Sequence, residues 1–235
     1  MQKSTQKSPV IVALDYKKKE EALAFADSIN PELCRVKVGK EMFTRFGPSL
    51  VDELHKRRFK VFLDLKYHDI PNTVAAAVKA AADIGVWMVN VHALGGPSML
   101  AAASDVLAGL QEKPLLIGVT VLTSMDAGQL KALGINEAPE VLVSRLANLC
   151  AEAGLDGVVC SAQEATMLRE KLPASFQLVT PGIRPESAKK DDQIRIMTPP
   201  RAMAAGSNYL VIGRPITQAD NPQAALDAIL QSLNE

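Results

Sequence analysis

The chain has 235 residues, close to the roughly 250 of a closed βα barrel, and 48% of them are hydrophobic against 22% charged, which excludes a disordered or low-complexity protein. Lys and Arg together number 26, as do Asp and Glu, so the formal net charge is zero and neither nucleic acid nor an anionic membrane is an expected partner. The cysteines, Cys34, Cys150 and Cys160, show no CxxC spacing and no paired histidines; this argues against a disulfide framework or a metal site and fits a reducing, cytoplasmic setting.

The polar start MQKSTQKSPV has no apolar h-region, and no apolar stretch approaches the roughly 18 residues of a membrane span. A disordered tail over 1–8 is expected, then one domain over 9–235. Within it, short β-branched runs alternate with helical patterns. The run 10–14 precedes a helix over 20–29, and 34–38 precedes one long helix over 42–57. The run 60–65 leads to a helix that opens with Asp69 as N-cap and Pro71 in its first turn and stops at Gly85. Then 87–92 feeds a helix over 98–111, and 115–120 feeds a long loop over 123–138 and a helix over 139–153. After 157–160 comes a helix over 162–172, after 177–180 a second long loop over 181–200, and after 209–213 a helix over 222–233. Long loops inside a compact domain are usually functional.

Most of these runs are continuously apolar, as strands are when both faces are covered. Strict βα alternation leaves a doubly wound sheet or a barrel. Eight strands, and no GxGxxG or GxxxxGK[ST] after the first, favour a single-domain α/β fold, the (β/α)8 TIM barrel.

In such a barrel the reactive residues stand at the C-terminal ends of strands. Asp15, Lys37, Asp64, Lys66, His92, Thr123, Ser124, Gly213 and Arg214 all occupy such ends. Asp64 and Lys66 are two apart, so on an extended strand they point to the same side, where Lys37 can meet them; Asp69 follows three residues on. A buried charge costs several kcal/mol unless paired, so an array of alternating Lys and Asp is either catalytic or a salt-bridge ring that plugs the barrel top. His92 has only His55 and His68 for company, too few for a metal set, and reads as a structural or hydrogen-bonding residue. Trp87 reads as packing, and Lys17 to Lys19 as a solvated helix start.

The segment LDLKYHDIPNTV, residues 63–74, resembles the signature of the orotidine 5'-monophosphate decarboxylases, with its DxKxxD core at Asp64, Lys66 and Asp69. The resemblance spans the chain: ALD at Asp15, VKVG at Lys37, VNVHALGG around His92, VTVLTS at Thr123 and Ser124, TPGIRP at Pro181 and Arg184, DDQ at Gln193 and IGRPI at Gly213 and Arg214 follow in the family's order. It implies a homodimer that removes CO2 from orotidine monophosphate to give UMP, with no cofactor and no metal. In that reading Lys66 donates the proton, Asp64 faces the departing carboxylate, and Lys37 and Asp15 hold the ribose hydroxyls. Asp69, Ile70 and Thr73 resemble positions contributed across the dimer interface. Ser124 contacts the pyrimidine with Thr123 beside it. Gln193, Gly213 and Arg214 bind phosphate, while Pro181 and Arg184 belong to a loop that phosphate binding holds closed.

The residue types suit that chemistry. Decarboxylation leaves an electron pair on carbon, and an ammonium fixed beside it stabilises charge that exists only in the transition state. Repulsion between Asp64 and the substrate carboxylate adds at most a few kcal/mol, since two charges about 4 Å apart interact by ~4 kcal/mol at an effective dielectric near 20. A Schiff-base aldolase barrel needs a neutral amine, which carboxylates flanking Lys66 disfavour. A metal-dependent sugar-phosphate decarboxylase with the same core needs further carboxylate ligands, and a UMP-sensing scaffold leaves the charged array unexplained.

Overall fold

The computed structural model describes residues 8–185 and 197–234. Among them the strands β1 (Val10–Leu14), β2 (Arg35–Gly39), β3 (Val61–Tyr67), β4 (Met88–His92), β5 (Leu115–Val119), β6 (Gly157–Val159), β7 (Gln177–Thr180) and β8 (Tyr209–Ile212) pair in sequence order, all parallel. β8 returns to β1, Val10 opposite Leu210, and closes the barrel expected from the alternation. The expected tail falls outside the described residues except for Ser8, whose Oγ accepts from the Val10 N–H at 3.2 Å.

Around the barrel run α1 (Lys19–Asp27), α2 (Lys40–Phe46), α3 (Pro48–Lys56), α4 (Pro71–Asp83), α5 (Gly96–Asp105), α6 (Ala127–Ala132), α7 (Pro139–Glu152), α8 (Ala165–Lys171), α9 (Pro199–Ala204), α10 (Arg214–Thr217) and α11 (Pro222–Ser232). None of these is long and apolar enough to cross a membrane. Two expectations need correction. The helix over 42–57 is two helices, because Gly47 takes a φ of +59° and Pro48 restarts the chain as the first residue of α3. The loop over 123–138 contains α6, whose first turn is capped by Asp126 accepting from the Gln129 N–H at 2.9 Å.

Two apolar layers hold the fold. Between strands and helices lies the larger core, with Leu14, Met42, Leu54, Leu63, Leu100 and Leu116 fully buried. Inside the barrel, Ile11, Ala13, Phe62, Met88, Ile117, Val179 and Val211 pack on one another. Below them Arg35 lies over Trp87 and Tyr209, 4.4 and 5.1 Å from the ring centroids, so Trp87 is a packing residue as expected. The barrel is thus filled from below, and polar side chains gather at the other end, where the strands finish.

Candidate active site

The strand ends surround a cleft of about 300 Å³. Its floor is Ala13, Phe62 and Val211 from the inner core, and its wall is polar: Asp15 after β1, Lys37 on β2, Asp64 and Lys66 on β3, Thr123 after β5, Pro181 and Arg184 after β7, and Gly213 and Arg214 after β8. Alternation along β2 turns Lys37 inward while Val36 and Val38 enter the outer core.

Asp64 is the centre of the charged set. Its Oδ2 lies 3.0 Å from Lys37 Nζ and its Oδ1 2.5 Å from Lys66 Nζ, and Oδ1 also accepts from Asn90 Nδ2 at 2.7 Å. Burial by itself would raise the carboxyl pKa; the two ammonium groups and the amide outweigh burial and bring it down to about 2. Asp64 and Lys66 do meet, but not as neighbours on a regular extended strand. The β3–β4 register runs Leu63 opposite Val89 and then jumps to Tyr67 opposite Val91, and Lys66 has a φ of +52°, in the left-handed region. Its backbone N–H donates to Asn90 Oδ1 at 2.8 Å.

His92 ends β4 and stacks on His68, with ring centroids 5.3 Å apart. Burial, then His68, Lys66 and Lys40, push its pKa down to about 4, and its Nδ1 meets no hydrogen-bond partner among the described residues. At the far side of the cleft β8 is followed by Gly213, and the chain turns at once into α10, which Arg214 begins. A Cβ at 213 would stand 3.6 Å from that of Ala13, over the cleft floor. Arg184 is buried, and its N–H donates to the Met197 carbonyl at 3.0 Å.

Other expected site residues lie apart from the cleft of their own chain. Asp69 is exposed, and its Oδ1 accepts from the adjacent Ile70 N–H at 2.7 Å. Ile70, not Asp69, occupies the N-cap of α4, because the helix begins at Pro71. Ile70 is 67% exposed, and Thr73 and Ser124 face solvent. Gln193 lies outside the described residues. Asn90 escaped the sequence reading. Its one signal is a polar residue inside an otherwise apolar buried strand, two positions before His92.

The family model described as "Orotidine 5'-phosphate decarboxylase / HUMPS family" matches residues 8–229. An orotidine 5'-phosphate decarboxylase of Vibrio cholerae is 63% identical over 225 residues, which cover 95% of this chain and 97% of that protein. The enzyme of that name from Vibrio vulnificus is 61% identical over 227 residues, 96% of this chain and 98% of the relative. Among solved structures, orotidine 5'-phosphate decarboxylase from Lactobacillus acidophilus superposes with a TM-score of 0.85 at 39% identity, covering 97% of this chain and 100% of that one.

Proposed function

The chain belongs to the orotidine 5'-phosphate decarboxylase / HUMPS family, and from that premise we propose that it converts orotidine 5'-monophosphate to UMP and CO2 in pyrimidine synthesis, without a cofactor and with Lys66 as the proton donor. The observation that carries this reading is the pair of ammonium groups, Lys37 and Lys66, held on the two oxygens of Asp64 at the mouth of a filled barrel.

The substrate's phosphate lies at Gly213 and Arg214, with Arg184 at the same end; Gln193, outside the described residues, is a phosphate ligand by the family resemblance alone. The ribose hydroxyls meet Asp15 and Lys37, and Thr123 attends the pyrimidine from the cleft wall, with the solvent-facing Ser124 next to it on the loop after β5. The reacting carbon then faces Lys66. The bond between that carbon and the carboxylate breaks, its electron pair stays on the ring carbon, and CO2 departs. Lys66 Nζ passes a proton to the carbon and regains one from solvent, so no electrons leave or enter. Lys66 lowers the barrier because its charge is aligned before reaction and its attraction grows as the carbanion forms. Asp64 fixes that ammonium and sets a negative charge against the substrate carboxylate.

A second copy of the chain completes the site with Asp69, Ile70 and Thr73. Support comes from their positions: all three are exposed beside the mouth yet outside their own chain's cleft, and Ile70 presents a large apolar side chain to solvent, with Leu94 39% exposed as well.

The test is CO2 release from orotidine 5'-monophosphate in the presence of a metal chelator. The wild-type chain is expected to turn over undiminished, and Lys66→Ala to show no measurable turnover while binding UMP within about threefold of wild type. Turnover by Lys66→Ala overturns the proton-donor role, and turnover abolished by the chelator overturns cofactor independence.

A further inference from the structure

Asn90 lies in the middle of β4, fully buried, with Val89 and Val91 on either side. A buried side-chain amide must have its donor and acceptor groups met, and here both are spent on the bulge of β3. Nδ2 donates to Asp64 Oδ1 at 2.7 Å, and Oδ1 accepts from the Lys66 backbone N–H at 2.8 Å. These bonds fall where the β3–β4 register breaks and where Lys66 adopts its left-handed backbone. A strained backbone of that kind persists only when its surroundings hold it. The amide of Asn90 takes the Lys66 N–H at the break in the ladder, and the same group ties down the carboxylate that grips the Lys66 ammonium.

We propose that Asn90 is a positioning residue for decarboxylation: its amide clasps the β3 bulge and so sets the Lys66 ammonium and the Asp64 carboxylate against the reacting carbon. This rests on the reading of Lys66 as proton donor. Asn90 does not line the cleft and acts through the two residues that do. A leucine would fill nearly the same space and bury well, so packing alone does not call for an amide at this position.

The charged and titratable groups around the clasp are few. From β3 come Asp64 and Lys66, from β2 Lys37 through Asp64, and on β4 itself His92 two residues further. β5, opposite, brings Ile117, Gly118 and Val119, none of which titrates. A second carboxylate placed at 90 would therefore contact Asp64 directly, and one of the two would hold a proton to higher pH. Protonated, the introduced carboxyl can donate to Asp64 and accept from the Lys66 N–H; ionised, it repels Asp64 and the clasp opens.

Two variants test this beside Lys66→Ala, with kcat for orotidine 5'-monophosphate and Kd for UMP measured on the full chain. Asn90→Leu is expected to lose about 100-fold in kcat, the scale of a misplacement near 1 Å, with Kd for UMP within about threefold. Asn90→Asp is expected to diverge from the wild-type pH profile, its kcat relative to wild type rising about tenfold or more as pH falls from about 8 to 6. If Asn90→Leu does not fold, the Asn90→Asp profile decides. Wild-type kcat in the variants, a Kd that weakens in step with kcat, or an Asn90→Asp profile parallel to wild type overturns the positioning role while Lys66→Ala remains inactive. Turnover by Lys66→Ala overturns the underlying assignment and the positioning role with it.

Discussion

Lys37 on β2 and Asp64 on β3 form an ion pair of 3.0 Å whose side chains are only 13% and 12% exposed, and the same carboxylate holds Lys66 from its other oxygen. The three charges do not contribute equally to stability. Replacing Asp64 by Asn leaves two ammonium groups facing a neutral amide in a poorly solvated site, whereas removing Lys37 leaves the Asp64–Lys66 pair neutral. Asp64→Asn is therefore expected to cost about 3 kcal/mol, the range for breaking a buried ion pair by deleting one member, and Lys37→Met distinctly less. Urea unfolding of both variants checks the order. Equal midpoints, or a larger loss in Lys37→Met, contradict it.

Asp64 also sets a pH dependence of stability. Its folded pKa, about 2, lies below the ordinary 3.8, so the unfolded chain binds the proton first as pH falls. The associated stability is complete above about pH 4 and is lost as pH drops toward 2, about 2 kcal/mol at 1.36 kcal/mol per unit. The difference in urea stability between pH 5 and pH 3 should shrink in Asp64→Asn.

His92 acts in a higher window and with the same sign. Its folded pKa is pushed down to about 4 from 6.5, so the unfolded state takes up a proton between those values and stability falls as pH drops from 6.5 toward 4. His92→Gln should flatten the urea stability profile between about pH 7 and pH 4.5. An unchanged slope would mean that His92 is protonated equally easily in both states.

From the proposed phosphate role of Arg214, Arg214→Ala is expected to lose roughly 1.5 to 3 kcal/mol in kcat/KM, a charged hydrogen bond to phosphate, with KM carrying most of the change. A substrate truncated to lack its phosphate isolates the effect. Should Arg214→Ala slow that reaction as much as the full one, the residue serves something other than phosphate.

The proposal that two chains share each site can be tested by subunit exchange. Lys66→Ala and Asp69→Ala chains, each inactive alone, should form mixed dimers in which one site carries both lesions and the other neither. Random exchange makes half of the dimers mixed and half of their sites whole, so activity should recover to about a quarter of wild type. No recovery after verified exchange means that each chain builds its own array.

Much of the barrel was legible because its signals are local. Val10–Leu14 reads as a strand from five consecutive apolar residues, and α4 reads as a helix from Pro71 and the spacing of Val74, Val78 and Ala81. Alternation of such segments is enough to place Asp15, Lys37, Asp64, Thr123 and Gly213 at strand ends. The break at Gly47 was open to the same reasoning, since Gly followed by Pro marks a helix boundary, but the apolar period on either side concealed it.

Tertiary structure alone decided how the charged residues meet. Spacing by two puts Asp64 and Lys66 on one side of a regular strand, yet here they meet across a bulge with Lys66 left-handed, held by an amide 24 residues away. Propensity and periodicity report on a residue and its near neighbours, whereas this conformation exists because Asn90 on another strand supplies the bonds that compensate it. Asp69, Ile70 and Thr73 show the same limit from the other side: the sequence carries them in the signature, but the folded chain leaves them exposed and outside the lining of their own cleft, where β3 gives way to α4.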